Sequence, residues 1–198
     1  MATPKGKTEL QTLSFSSSDE WNAWLVSHSG NSPGLWLKLA KKGSGIESVT
    51  KKEAIDLALC HGWIDGQLKP LDTKYWLIRF TPRRPGSNWS KINRERAAEL
   101  IEDGRMQKAG LLAIERAKAD GRWAAAYASQ SAAIVPDDLS ASLESNTKAK
   151  RHFEQLDARN RYAIIYRIHN IKKPETRKRR IEEYVSMLAR GDSIYPKK

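Results

Sequence analysis

Residues 75–80 read YWLIRF, and Trp76, Ile78 and Phe80 alternate with Tyr75, Leu77 and Arg79. A period of two with one wholly apolar set is the pattern of a strand that buries one face, while the other face here ends in an arginine. Working outward, GLWLKLA at 34–40 repeats the pattern, with Leu35, Leu37 and Leu39 set against Trp36 and Lys38. LQTLSF at 10–15 reads as a first strand, and residues 64–80 read as two strands around KPLDT.

Helical segments separate these strands. SSSDEWNAWLVSHSG has a serine cap among Ser16 to Ser18, acids in its first turn and Gly30 at its end. SVTKKEAIDLALCHG starts at Thr50, gathers Ala54, Leu57 and Ala58 on one side and stops at Gly62. After residue 90, SKINRERAAELIEDG and KAGLLAIERAKADG place Ala97, Leu100 and Ile101, then Leu111, Ile114 and Ala117, at helical spacing and stop at Gly104 and Gly121. They predict a helical hairpin.

SAAIVPDDLS is a linker with Pro136 ahead of an acidic helix start, and beyond it the chain reads as helices. The last of these sets Ile181, Tyr184, Val185 and Leu188 on one stripe. The expected fold is therefore α+β: a small mixed sheet with two helices, followed by a helical hairpin and a helical C-terminal region. Residues 1–9 are expected as a flexible tail, 10–130 as the α+β domain with its hairpin, and 131–198 as the helical region.

The chain carries 35 Lys and Arg against 23 Asp and Glu, a net charge of +12, which biases it toward polyanions without specifying a fold. Between 146 and 180 twelve Lys or Arg face three acids, so the basic character concentrates toward the C-terminus. Cys60 is the only cysteine, which excludes an internal disulfide or a cysteine-based zinc site and fits a reducing compartment. No run approaches the roughly 20 apolar residues of a membrane span, and MATPKGKTEL lacks the apolar core of a signal peptide. A cytoplasmic protein is expected.

The chemistry-bearing stretch is FTPRRPGSNWS at 80–90. Arg79, Arg83 and Arg84 offer planar forks for carboxylate or phosphate, and Ser87, Asn88 and Ser90 offer neutral donors beside a helix N-terminus. Trp63 and Trp89 are candidate stacking rings, Pro82 and Pro85 stiffen the loop, and Asp65 is expected across a cleft from Arg79. The ligand set for a small anionic or nucleotide-like molecule is thus Trp63, Asp65, Arg79, Arg83, Arg84, Ser87, Asn88 and Trp89. Structural duties compete with it: Ser90 as a helix cap, Trp89 as a staple, and Asp65 with an arginine as an ion pair.

Lys172, Lys173, Arg177, Lys178, Arg179 and Arg180 form a second candidate surface, for nucleic acid or an acidic surface. A third reading is a hydrolase with Asp65 as base in the Asp65/Arg79 cleft. Neighbours on a helix point about 100° apart, so Cys60 and His61 make a poor nucleophile and base. His28, His61, His152 and His169 lack metal-ligand spacing, and KKGSGIES lacks the spacing of a phosphate loop, so no cofactor, metal or catalytic set is assigned.

ALCHGWIDGQLKPLD, RFTPRRPGSNWSKIN, EDGRMQKAGLLAIERAKADGRW and NRYAIIYRIHNIKKPETRKRRIEEYVSML together resemble the YdeI/OmpD-associated family, also called bacteriocin-protection proteins, from about Phe15 to Gly191. The residues carrying the motif are Gly62, Trp63, Ile64 and Asp65, then Arg79 to Arg83 and Ser87 to Ser90. The resemblance implies a bacterial protein linked to envelope stress, an outer-membrane porin or bacteriocin tolerance. It implies no reaction and no catalytic residues.

Overall fold

The computed structural model describes residues 9–196, and eight of the nine positions expected as a tail lie outside that range. Two compact units emerge. The first holds the described residues up to Trp89 together with Asn93–Ala125; the second holds Ser90–Ile92 and the described residues from Ala126 onward.

In the first unit the elements run β1 Thr12–Leu13, α1 Ser18–His28, β2 Leu35–Ala40, α2 Lys51–Cys60, β3 Trp63–Pro70, β4 Tyr75–Pro82, most of α3 Lys91–Glu102, and α4 Lys108–Ala119. The strands form one mixed sheet in the order β1-β2-β4-β3, with β1 parallel to β2 and the other pairs antiparallel. YWLIRF is thus an interior strand, paired on both sides. β2 opposes it with Leu37 facing Ile78 and Leu35 facing Phe80, so the two alternating patterns bury the same face. The first strand is shorter than LQTLSF suggests, pairing only through Thr12 and Leu13.

Both helices laid on that face have explicit starts. Ser17 caps α1, its hydroxyl accepting from the Glu20 amide at 3.3 Å while the Ser16 amide donates to Glu20 at 2.8 Å. Thr50 and Glu53 make a reciprocal capping box on α2, at 3.3 and 2.9 Å. Trp21 and Leu25 of α1, Ala54 and Ala58 of α2, the inward leucines of β2, Ile78, Phe80 and Trp63 share one core. The indole of Trp21 donates to the Ala54 carbonyl at 3.1 Å, which satisfies the one polar atom it carries inside.

The two helices expected as a hairpin are joined by residues 103–107. α4 lays Gly110 against the last turn of α2, where the Gln107 amide also donates to the Cys60 carbonyl at 3.1 Å.

In the second unit a short 3-10 turn, Gln130–Ala132, precedes α5 Asp137–Glu144, α6 Thr147–Gln155, α7 Ala158–His169 and α8 Pro174–Ala189. Leu139 and Leu143, Phe153, Ile164 and Ile168, and Ile181, Tyr184 and Leu188 are buried together, one stripe from each helix. Asn146 and Asp157 cap α6 and α7 through their side chains, and Pro174 opens α8.

Candidate functional site

The loop after β4 is tied down at every step. The Arg83 amide donates to the Gly62 carbonyl at 2.9 Å, anchoring the strand end beside β3. Arg84 to Ser87 close a turn: the Ser87 amide donates to the Arg84 carbonyl at 2.9 Å, and the Arg84 amide donates to the Ser87 hydroxyl at 3.1 Å. Trp89 then turns inward until it is 2% exposed, edge-on to Trp123 with ring centres 4.9 Å apart. The Arg83 guanidinium lies 3.6 Å above the Trp89 ring and donates to the Asn88 carbonyl at 3.3 Å.

Arg122, beyond the end of α4, reaches back across the loop. It donates to the Ser87 carbonyl at 2.5 Å and forks onto Asp120 at 2.8 and 2.7 Å. The result is a niche of about 20 Å³ lined by Arg83, Arg84, Pro85, Ser87, Trp89, Ala113, Arg116 and Arg122. A volume of that size admits about one water or one oxygen of an anion, not a ring. Arg84 and Arg116 are exposed where they line it, and the Asp120 carboxylate is occupied by Arg122.

The remaining sequence-predicted residues are dispersed. Trp63 is 1% exposed, packed edge-on against Trp24 with its indole donating to the Ser29 carbonyl at 3.1 Å. It belongs to the core. Trp63 and Trp89 therefore offer no open face to a base, against the expectation of stacking rings.

Asp65 and Arg79 do sit on neighbouring strands. Asp65, however, pairs with Phe80, which points into the core, so alternation sends Asp65 to the helix-covered face and Arg79 to the other. Asp65 instead accepts from the Asn93 side chain, Nδ2 to Oδ1 at 3.5 Å, and the Arg79 Nε lies 3.4 Å from where a Cβ on Gly66 would stand. A cleft that opposes the two groups is not formed.

Cys60 is buried, which pushes its thiol above the usual range, away from a reactive thiolate. His61 is buried as well, with Nε2 donating to Asn22 Oδ1 at 3.0 Å, and burial lowers its pKa. Among the described residues no three His, Cys, Asp or Glu converge on a metal position, and no helix is long and apolar enough to cross a membrane.

The basic set of the second unit splits in two. Arg177 forks onto Asp138 at 2.6 and 2.9 Å and donates to the Ile168 carbonyl at 2.6 Å, joining α5, α7 and α8. Arg179 and Arg180 pair with Glu183. Lys172, Lys173 and Lys178 are exposed and, among the described residues, take part in none of the ion pairs.

Arg177 holds the Asp138 carboxyl below its ordinary 3.8. A depressed acid contributes stability above its unfolded pKa and loses it as pH falls through the folded value. Denaturant melts of wild type should therefore weaken below about pH 4, and Asp138→Asn should remove part of that acid loss. A variant with the same acid slope as wild type would contradict this role.

Arg116 and Arg122 were not singled out by the sequence pattern; the hint was DGRW, a glycine-stopped helix followed at once by a cation and a ring.

These features define an α+β unit with a sheet covered by helices on one face and an arginine-lined loop, followed by an all-helical unit. The chain belongs to the family described as a domain of unknown function, DUF8412, whose match covers residues 13–113. Residues 132–191 match the family described as bacteriocin-protection, YdeI or OmpD-associated, so the resemblance holds over the helical unit, while Gly62 to Ser90 fall within the other family's match. No curated protein and no solved structure matches the chain.

Proposed function

We propose that the chain is a binding protein for a small anionic or nucleotide-like ligand, whose terminal phosphoryl or carboxylate group docks on the arginine niche. The observation that carries this is the convergence of four guanidinium groups, Arg83, Arg84, Arg116 and Arg122, on one small niche. Arg83 and Arg122 are held by Trp89, Asn88, Ser87 and Asp120, so their forks are oriented before a ligand arrives. Arg84 and Arg116 are exposed and able to close on it.

The niche takes only the anionic group, leaving the rest of the ligand at the surface. Asp65, Arg79 and Trp63 drop out of the set, and the hydrolase reading loses the pairing it needed. A cytoplasmic location and a link to envelope stress or bacteriocin tolerance belong to the same proposal; the single cysteine supports the first and the family description the bacteriocin link.

A second reading, nucleic-acid or acidic-surface binding through the C-terminal basic helices, rests on Lys172, Lys173 and Lys178, which stand exposed and, among the described residues, outside the ion pairs.

The test is a thermal-shift panel of inorganic phosphate, pyrophosphate and nucleoside triphosphates at matched ionic strength. A ligand at about 100 times its Kd should stabilise wild type by about 2.7 kcal/mol. Arg84→Ala/Arg116→Ala, which removes only exposed side chains, should lose the shift and keep the ligand-free Tm. An equal shift in the double variant, or none in wild type, overturns the proposal.

A further inference from the structure

The face of the sheet opposite α1 and α2 carries its own chemistry. Register and alternation place Thr12, Trp36, Lys38 and Ala40, then Tyr75, Leu77, Arg79 and Thr81, and Ile64 and Lys69 on it. No carboxylate stands among those residues.

The side chains are ordered in pairs across the strands. Lys69 of β3 opposes Leu77 and carries its ammonium over β4 to 4.2 Å from the centre of the Trp36 ring on β2. Lys38 extends diagonally to 4.5 Å from the Tyr75 ring. Leu77 lies beneath these groups and is only 3% exposed, although it faces away from the core. Lys69 and Arg79 are exposed, and Trp36, Lys38 and Tyr75 are half-buried.

We infer that this face binds single-stranded nucleic acid, with bases on Trp36 and Tyr75 and phosphates on Lys38, Lys69 and Arg79. Charge complementarity selects the occupant, since the outward residues carry three cations and no anion. Half-exposed rings on the sheet face away from α1 and α2 select an unpaired strand, because bases inside a duplex have no free faces to stack. The lysines over the rings are not an obstacle. Stacking of a base is worth more than an exposed cation–π contact, and the displaced ammoniums move to the phosphates that flank the base.

The experiment is fluorescence anisotropy of a labelled thymidine strand of about twelve nucleotides, and of the matching duplex, across 50 to 200 mM salt. The strand should bind tighter than the duplex. Lys38→Ala/Lys69→Ala/Arg79→Ala should flatten the slope of log K against log salt by about 2, three contacts at about 0.7 each. Trp36→Leu should weaken the strand about tenfold with the slope unchanged, since stacking releases no counterions.

Arg84→Ala/Arg116→Ala should bind the strand as wild type does, which separates this surface from the arginine niche. Equal affinity for strand and duplex, or a triple variant with wild-type affinity and slope, overturns the inference. So does loss of binding only when Lys172, Lys173 and Lys178 are replaced.

Discussion

Arg96→Ala is expected to lower the unfolding free energy by about 3 kcal/mol, among the largest effects of any single polar substitution in the first unit. Asp56 of α2 has its side chain only 8% exposed, and Arg96 of α3 contacts both of its carboxylate oxygens: Nε to Oδ1 at 2.7 Å and Nη2 to Oδ2 at 2.6 Å. Removing the guanidinium strands a buried carboxylate. Removing the carboxylate is milder, because Arg96 is 24% exposed and keeps Glu99 as a second partner.

The two truncations should therefore be unequal, with Asp56→Ala the less costly and the double variant well short of their sum. Lys at 96 should rescue only part of the loss, since one ammonium cannot span both oxygens. Equilibrium urea melts decide the matter, and additive, equal losses would contradict it.

Gly110→Ala should cost about 2 kcal/mol even though alanine is the better helix former by about 1 kcal/mol. A Cβ at 110 would run into the Cys60 carbonyl oxygen and the Met106 sulfur and stand 2.8 Å from the Leu59 carbonyl oxygen. Two of these three are backbone of the last turn of α2, which cannot rotate aside as a side chain would. Gly62, just past the last turn of α2, meets the same seam, its φ of 73° and a Cβ 2.8 Å from the Ala109 carbonyl oxygen both excluding a side chain. Gly86→Ala, with nothing within 4 Å, is the control and should be near neutral. A Gly110→Ala variant as stable as that control would show that α2 and α4 separate freely.

Much of the architecture was legible because it rests on local periodicity. YWLIRF and GLWLKLA had to share a buried face, the caps at Ser17 and Thr50 were short-range signals, and the stripe on α8 was written at three- and four-residue spacing. The candidate site was less legible, for two physical reasons. A shift of one residue in register moves a side chain to the opposite face of a sheet. Asp65 was correctly placed on the strand beside Arg79 but faces Phe80, and that offset dissolves the expected cleft.

The second reason is distance along the chain. Trp89 lies within the polar loop and Trp63 opens β3, yet both indoles are taken up by partners distant in sequence, Trp123 and Trp24. The group that completes the niche, Arg122, arrives from 35 residues beyond Ser87. Nothing within FTPRRPGSNWS announces it.

The most direct measurement of the arginine niche is the set of arginine Nε–Hε resonances followed by NMR during titration with pyrophosphate. The resonances of Arg83, Arg84, Arg116 and Arg122 should move together along one binding isotherm, with Arg96 and Arg177, which do not line the niche, unmoved. Silent niche arginines, or shifts spread evenly over every exposed arginine of the chain, would contradict the proposal.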